Sequence, residues 1–197
     1  KRLPLFDALR YHMGGVDEHG QPSDSGGGKA FRPTLCLLSC EAAGGAPERA
    51  LPVAVALEFV HNFSLIHDDI QDKDRTRRGR PTVWAVWDIP TAIVAGNAML
   101  KVADLAASQL AGAGASTATA LEAGEALTRG YLRMMEGQYL DIEFETREAI
   151  TVQEYLDMIE RKTGALIETA VCLGPLVAGQ AEPDRAQAHV LGRRGDR

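Results

Sequence analysis

A helix that is apolar almost all the way round and ends in a knot of carboxylates constrains this chain more than any other feature. Leu57, Val60, Phe63, Leu65 and Ile66 leave little polar face on the stretch that closes on Asp68-Asp69-Ile70-Gln71-Asp72. A helix apolar on all sides has to be buried among others, so its acidic end opens from a core rather than from a solvated surface. Acids at that end face the negative pole of the helix dipole and repel one another. The arrangement becomes sensible with a divalent cation bound. Hard oxygen ligands suit Mg²⁺, which takes one or two carboxylates and completes its shell with water and phosphate oxygens. Arg77-Arg78-Gly79-Arg80-Pro81-Thr82 follows at once, and its guanidinium groups are the forks that phosphate oxygens accept. The segment reads as a metal and diphosphate site.

The rest of the chain predicts an all-α fold in a single domain, 1–197. Aromatics are only 6% against 45% hydrophobic residues, which favours packed helices over a sandwich of strands, and no alternating strand pattern is present. Helices are expected over residues 3–12, from Arg32-Pro33 to Gly44-Gly45, from Glu48 to Asp69, over 90–111, from Ser116 to Phe144, and from a capping box at Thr151-Val152-Gln153-Glu154 to Val177. A last one begins near Pro183, and residues 70–81 form a polar loop. The net charge of −6 excludes nucleic acid as a main partner, because phosphate backbones demand a basic face. Cys36, Cys40 and Cys172 are too few and too scattered for a disulfide framework. Cys36 and Cys40 share a helix face, where they read as small buried residues. No apolar run approaches the ~18–20 residues of a membrane span and no signal peptide opens the chain. A reducing cytoplasm is therefore expected.

Other candidate groups have structural readings beside their functional ones. Asp68 and Asp72 are four apart and share a face if the helix continues to the second; alone, such a pair is as often a solvated acidic helix end. His61 lies two turns below Asp68, about 10 Å away, where a hydrogen-bonded core histidine is the ordinary reading and a diphosphate donor the functional one. Gly26-Gly27-Gly28-Lys29-Ala30-Phe31-Arg32-Pro33 joins a glycine stretch to two cations just before a helix start, a place that welcomes anions. It lacks the spacing and strand context of a nucleotide-binding loop. Gln138 and Asp141 sit three apart on a mostly apolar helix. Gly164, after Lys162-Thr163, costs roughly 1 kcal/mol against Ala inside a helix, so a ligand or neighbouring helix should approach closely there.

Taken together, these fragments resemble the trans-type isoprenyl diphosphate synthases. The matching pieces are Gly27-Gly28-Lys29 with Arg32-Pro33, Glu58-Phe59-Val60-His61, Ser64 through Asp72, Arg77 through Thr82, Gly137-Gln138 with Asp141, and Lys162-Thr163-Gly164. They stand in the family's order and spacing over about residues 27–175. The resemblance implies an all-α bundle around a deep apolar cavity, usually dimeric, here a homodimer. It also implies that Asp68 and Asp72 hold Mg²⁺ with Asp69 in support, and that Lys29, Arg32, His61 and Arg78 bind isopentenyl diphosphate. Arg77, Lys162 and Thr163 would hold the allylic diphosphate, while Gln138 and Asp141 line the metal's water network. The implied chemistry is ionisation of the allylic diphosphate, attack of the isopentenyl double bond on the resulting cation, and loss of a proton. Asp68, Asp72, Arg77 and Lys162 are the residues expected to carry it.

By the same resemblance, Phe63 with Ser64 after it forms a floor for the growing tail. One aromatic there, without an insertion in the Asp motif, goes with geranylgeranyl diphosphate, and farnesyl diphosphate is the alternative product. The chain departs from the family pattern in one respect. A second Asp-rich motif is expected shortly after residue 197, so these 197 residues alone are expected to be weakly active or inactive. Three rivals use overlapping features: a class I terpene cyclase, which needs no isopentenyl site; a non-catalytic subunit that adjusts an active synthase; and a cation-dependent phosphohydrolase.

Overall fold

The structure, a computed structural model, describes residues 3–23 and 28–179. The expected helix near Pro183, the tail from Val190 to Arg197, and Gly26-Gly27 lie outside the described residues. The elements are α1 (Pro4–His12), α2 (Phe31–Ala42), α3 (Pro47–Gln71), β1 (Thr76–Arg77), β2 (Arg80–Pro81), α4 (Val83–Val86), α5 (Ile89–Ser108), α6 (Thr117–Phe144), α7 (Val152–Ile159), a π-helical turn (Glu160–Gly164) and α8 (Ala165–Ala178). The all-α expectation holds, with helices close to where periodicity and caps placed them.

The local reasons are legible. Pro4 and Pro47 open α1 and α3, where the missing N–H belongs to a donor without an intrahelical partner anyway. Ser116 caps α6 by accepting from the Thr119 amide. Thr151 and Glu154 form the full reciprocal capping box at α7. Two features differ from expectation. The polar loop holds a two-stranded hairpin, with Thr76 opposite Pro81 and Arg77 opposite Arg80; strands of two residues are too short to alternate visibly. The helix from Thr151 is interrupted by the π turn, and Gly164 is its buried last residue.

By length and mean hydropathy α3 and α5 could each cross a membrane, contrary to the expectation that no stretch would qualify. Half of the apolar window of α3 is buried inside the protein, as in a core helix, against 28% of that of α5.

The contacts of the chain group into two compact units, Lys1–Phe31 with Glu58–Asp104, and Arg32–Leu57 with Leu105–Arg197. In the first, α1 packs on α4 and the C-terminal part of α3 contributes Val60, Phe63 and Ile66 to the core. Tyr11 is its hub: the hydroxyl donates to the Pro81 carbonyl at 2.8 Å, the ring meets Trp87 edge-on, and the Arg80 guanidinium lies over its face. In the second unit α6 runs along α8 and the π turn. Cys36 and Cys40 are fully buried there, and burial pushes the Cys36 thiol up to about 12.

Candidate functional site

In the first unit α3 continues through the acidic run: the Asp72 amide donates to the Asp68 carbonyl at 2.8 Å. The two carboxylates therefore do share a helix face one turn apart, with Asp68 half-buried and Asp72 exposed. Two hard oxygen donors at that spacing fit Mg²⁺, which needs no more from a protein. Asp69, between them in sequence, turns inward and is 1% exposed. Its Oδ1 accepts from Arg77 Nε at 2.7 Å, and its backbone carbonyl accepts from Trp84 Nε1 at 2.8 Å. Burial raises the Asp69 carboxyl above the usual carboxylate range although Arg77 pulls it down. Asp69 thus acts on Arg77 and holds that guanidinium at the foot of the hairpin.

The hairpin turn is Arg78-Gly79, with φ of 53° and 75°. Positive φ at both central residues is the primed turn whose twist matches a two-residue hairpin. Asn or Gly normally leads such a turn; an arginine there is strained. Ala30, next to Lys29, is also left-handed at φ 47°. Such strain costs about 1–3 kcal/mol per residue and gathers at functional sites. The two strained segments meet, because a Cβ on Gly28 would lie 2.8 Å from Arg78 Nη2. A side chain at position 28 would make that guanidinium shift, and exposed Lys29 follows Gly28 directly.

Behind the hairpin, Tyr11, His12, Asp69, Arg77, Arg78, Arg80 and Thr82 line a small polar cavity of about 30 Å³. His12 was not singled out by the sequence. Its buried Nε2 has no hydrogen-bond partner. Burial, with Arg78 and Arg77 nearby, lowers its imidazole to about 4. Arg80 donates to the carbonyls of Tyr11 and Val16, so it anchors the hairpin. Further along α3, His61 is half-buried and Phe63 is 4% exposed. The Phe63 ring stands edge-on to His67 at 5.7 Å. Ser64 donates back to the His61 carbonyl.

In the second unit Lys162 Nζ is held by Asp141 Oδ2 at 2.5 Å, which unites two predicted site residues. Gly137 makes this possible. A Cβ there would fall 2.6 Å from Lys162 Cα and 2.7 Å from the Arg161 carbonyl carbon, so α6 touches the π turn backbone to backbone. Gly164, where a close approach was expected, is buried. Gln138 is half-buried, Thr163 exposed, and Arg32 half-buried in the first turn of α2. Within the first unit the structure thus gathers Asp69 with Arg77 and Gly28 with Arg78; within the second it gathers Asp141 with Lys162.

A family model described as polyprenyl synthetase matches residues 18–194. The chain belongs to the polyprenyl synthetase family. It is 42% identical to a (2E,6E)-farnesyl diphosphate synthase of Mycobacterium tuberculosis over 187 residues, 94% of this chain and 50% of that protein. With a geranylgeranyl diphosphate synthase of Sulfolobus acidocaldarius the identity is 42% over 159 residues, 80% of this chain and 48% of that one. The crystal structure of a polyprenyl synthetase from Streptomyces coelicolor superimposes with a TM-score of 0.89 at 40% identity, covering 98% of this chain and 55% of that one. The all-α isoprenoid synthase fold is therefore shared across the described residues, and the chain spans about half the length of the curated relatives it matches.

Proposed function

We propose that this polyprenyl synthetase sequence serves a Mg²⁺-dependent prenyltransferase that condenses isopentenyl diphosphate with an allylic diphosphate. The product on this reading is a short trans-prenyl diphosphate, geranylgeranyl diphosphate first and farnesyl diphosphate as the alternative. Relatives named for both products match at equal identity. The observation that carries the reading is the end of α3. Asp68 and Asp72 share one face, and Arg77 is fixed beside them by a carboxylate that is buried and so not available to solvent.

Magnesium at Asp68 and Asp72 would neutralise the diphosphate and stabilise it as a leaving group. Arg77 and Lys162 are each held by an acid, Asp69 and Asp141, so their donors are oriented before substrate arrives and need little reorganisation. Thr163, Gln138 and Asp141 belong with Lys162 in this assignment. Lys29, Arg32, His61 and Arg78 take the isopentenyl diphosphate, with the Gly28–Arg78 approach as support. The strained backbone at Ala30 and Arg78 suits groups held ready for a ligand. Phe63, buried above His67, is the floor for the tail.

We also place the protein in a reducing cytoplasm, where its free thiols would persist, and pair it with a second copy. Exposed Ile89, Ile93 and Val94 on α5 support the pairing.

The test is incubation of the protein expressed from its complete reading frame with isopentenyl diphosphate, each allylic primer and Mg²⁺, followed by analysis of the lipids. Chain elongation that disappears on chelation is expected. A cyclic hydrocarbon from geranylgeranyl diphosphate alone would replace this reading with a cyclase.

A further inference from the structure

Three successive residues of the π turn are each tied to α6 by an opposite charge. Arg133 Nη2 donates to Glu160 Oε1 at 3.3 Å, Arg161 Nη1 donates to Glu136 Oε2 at 2.7 Å, and Lys162 Nζ donates to Asp141. Arg133 also reaches beyond the turn to α8. Its Nη1 also donates to Glu168 Oε2 at 2.7 Å, and that carboxylate is 6% exposed. Glu160 is the first residue of the turn, and Glu168 lies four residues past its last, on α8. In an unbroken α-helix, residues eight apart point in clearly different directions, whereas residues seven apart fall nearly in line. A π turn accommodates one extra residue, so it is the turn itself that aligns Glu160 with Glu168. One planar guanidinium with donors on both edges can then take both acids.

We infer that Arg133 is a positioning residue: by gripping the π turn from both sides it fixes the register in which Lys162 is presented. The inference rests on the reading that Lys162 holds the allylic diphosphate. A regular helix over 160–164 would carry the Lys162 ammonium around the axis and away from Asp141, and the grip opposes that conversion.

The experiment uses the protein expressed from its complete reading frame and measures kcat and KM for each substrate separately. Arg133→Lys keeps a charge for buried Glu168 but cannot fork, and Glu160→Gln releases only the turn-side arm. Both are expected to raise the allylic KM about tenfold, with the isopentenyl KM unchanged within about twofold. Lys162→Ala is expected to raise the allylic KM further, and adding Arg133→Lys to it should change nothing more, because coupled groups are non-additive. A general loss of packing would instead lower the active fraction and leave both KM values in place. If Lys162→Ala matters but Arg133→Lys and Glu160→Gln leave the allylic KM at the parent value, raise both KM values alike, or add fully to Lys162→Ala, the positioning role is overturned and the Lys162 reading survives. If Lys162→Ala itself leaves the allylic KM unchanged, the Lys162 reading fails first and takes the positioning role with it.

Discussion

At the scale of single residues, the sequence offered candidates for phosphate and metal but did not show which of them face inward. Asp68, Asp69 and Asp72 look equivalent in a row of acids. In the fold Asp69 is the buried one, and it spends its charge on Arg77. Arg77→Ala is therefore expected to destabilise the protein by about 3 kcal/mol, because it strands a buried carboxylate. Arg77→Ala with Asp69→Asn should recover much of that stability without recovering activity. Urea titration of the single and double variants checks this, and equal stability of the two would show that a stranded Asp69 carboxylate is not what destabilises the single variant. His12 supplies a pH dependence. Its imidazole is lowered from 6.5 to about 4, so the folded state holds it neutral while the unfolded chain binds the proton first. The stabilisation is complete above about pH 6.5 and is lost as pH falls toward about 4, by roughly 3 kcal/mol in all. His12→Gln should flatten the stability profile across that window; a profile with unchanged slope would remove His12 as its source.

At the scale of elements, helix positions were legible because caps and apolar periodicity act locally. The capping box at α7 formed as read, and its consequences can be measured. Thr151 and Arg147 bonds hold the Glu154 carboxyl at about 2, so the box contributes above the ordinary glutamate range and is lost as pH falls through about 2. Thr151→Ala should cost about 1 kcal/mol, seen as a lower thermal midpoint that no longer depends on this acid. The hairpin and the π turn were not legible. Two-residue strands carry no period, and only the Arg78-Gly79 pair, a residue followed by glycine between two short arms, hinted at a turn. The π turn packs on α6, and at Gly137 the two meet backbone to backbone. Gly137→Ala is expected to destabilise by about 1–3 kcal/mol through overpacking against backbone. It should also shift the Lys162 environment, visible in its ammonium or amide resonances; a silent substitution would mean that α6 and the turn are not in contact.

At the scale of the whole molecule, the ordered set of fragments led to the family, and the shared fold with solved polyprenyl synthetases agrees with that reading. On the proposed reading, product length is set by the walls around the growing tail rather than by any one element. Phe63 is buried and edge-on to His67. On that reading, Phe63→Ala in the protein expressed from its complete reading frame is expected to lengthen the product by at least one five-carbon unit. It should also cost about 3–5 kcal/mol of stability, which sets the assay temperature. An unchanged product distribution would remove Phe63 as the floor.

The amino-acid sequence by itself determined the helices, their caps and the shared face of Asp68 and Asp72, since all of these depend on neighbours within a turn or two of chain. Only the tertiary structure decided that Asp69 holds Arg77, that Gly28 lies against Arg78, that Gly137 brings α6 against the π turn, and that Arg133 spans that turn. Those pairings join residues up to 50 positions apart, and their partners are selected by packing, which a local pattern does not encode.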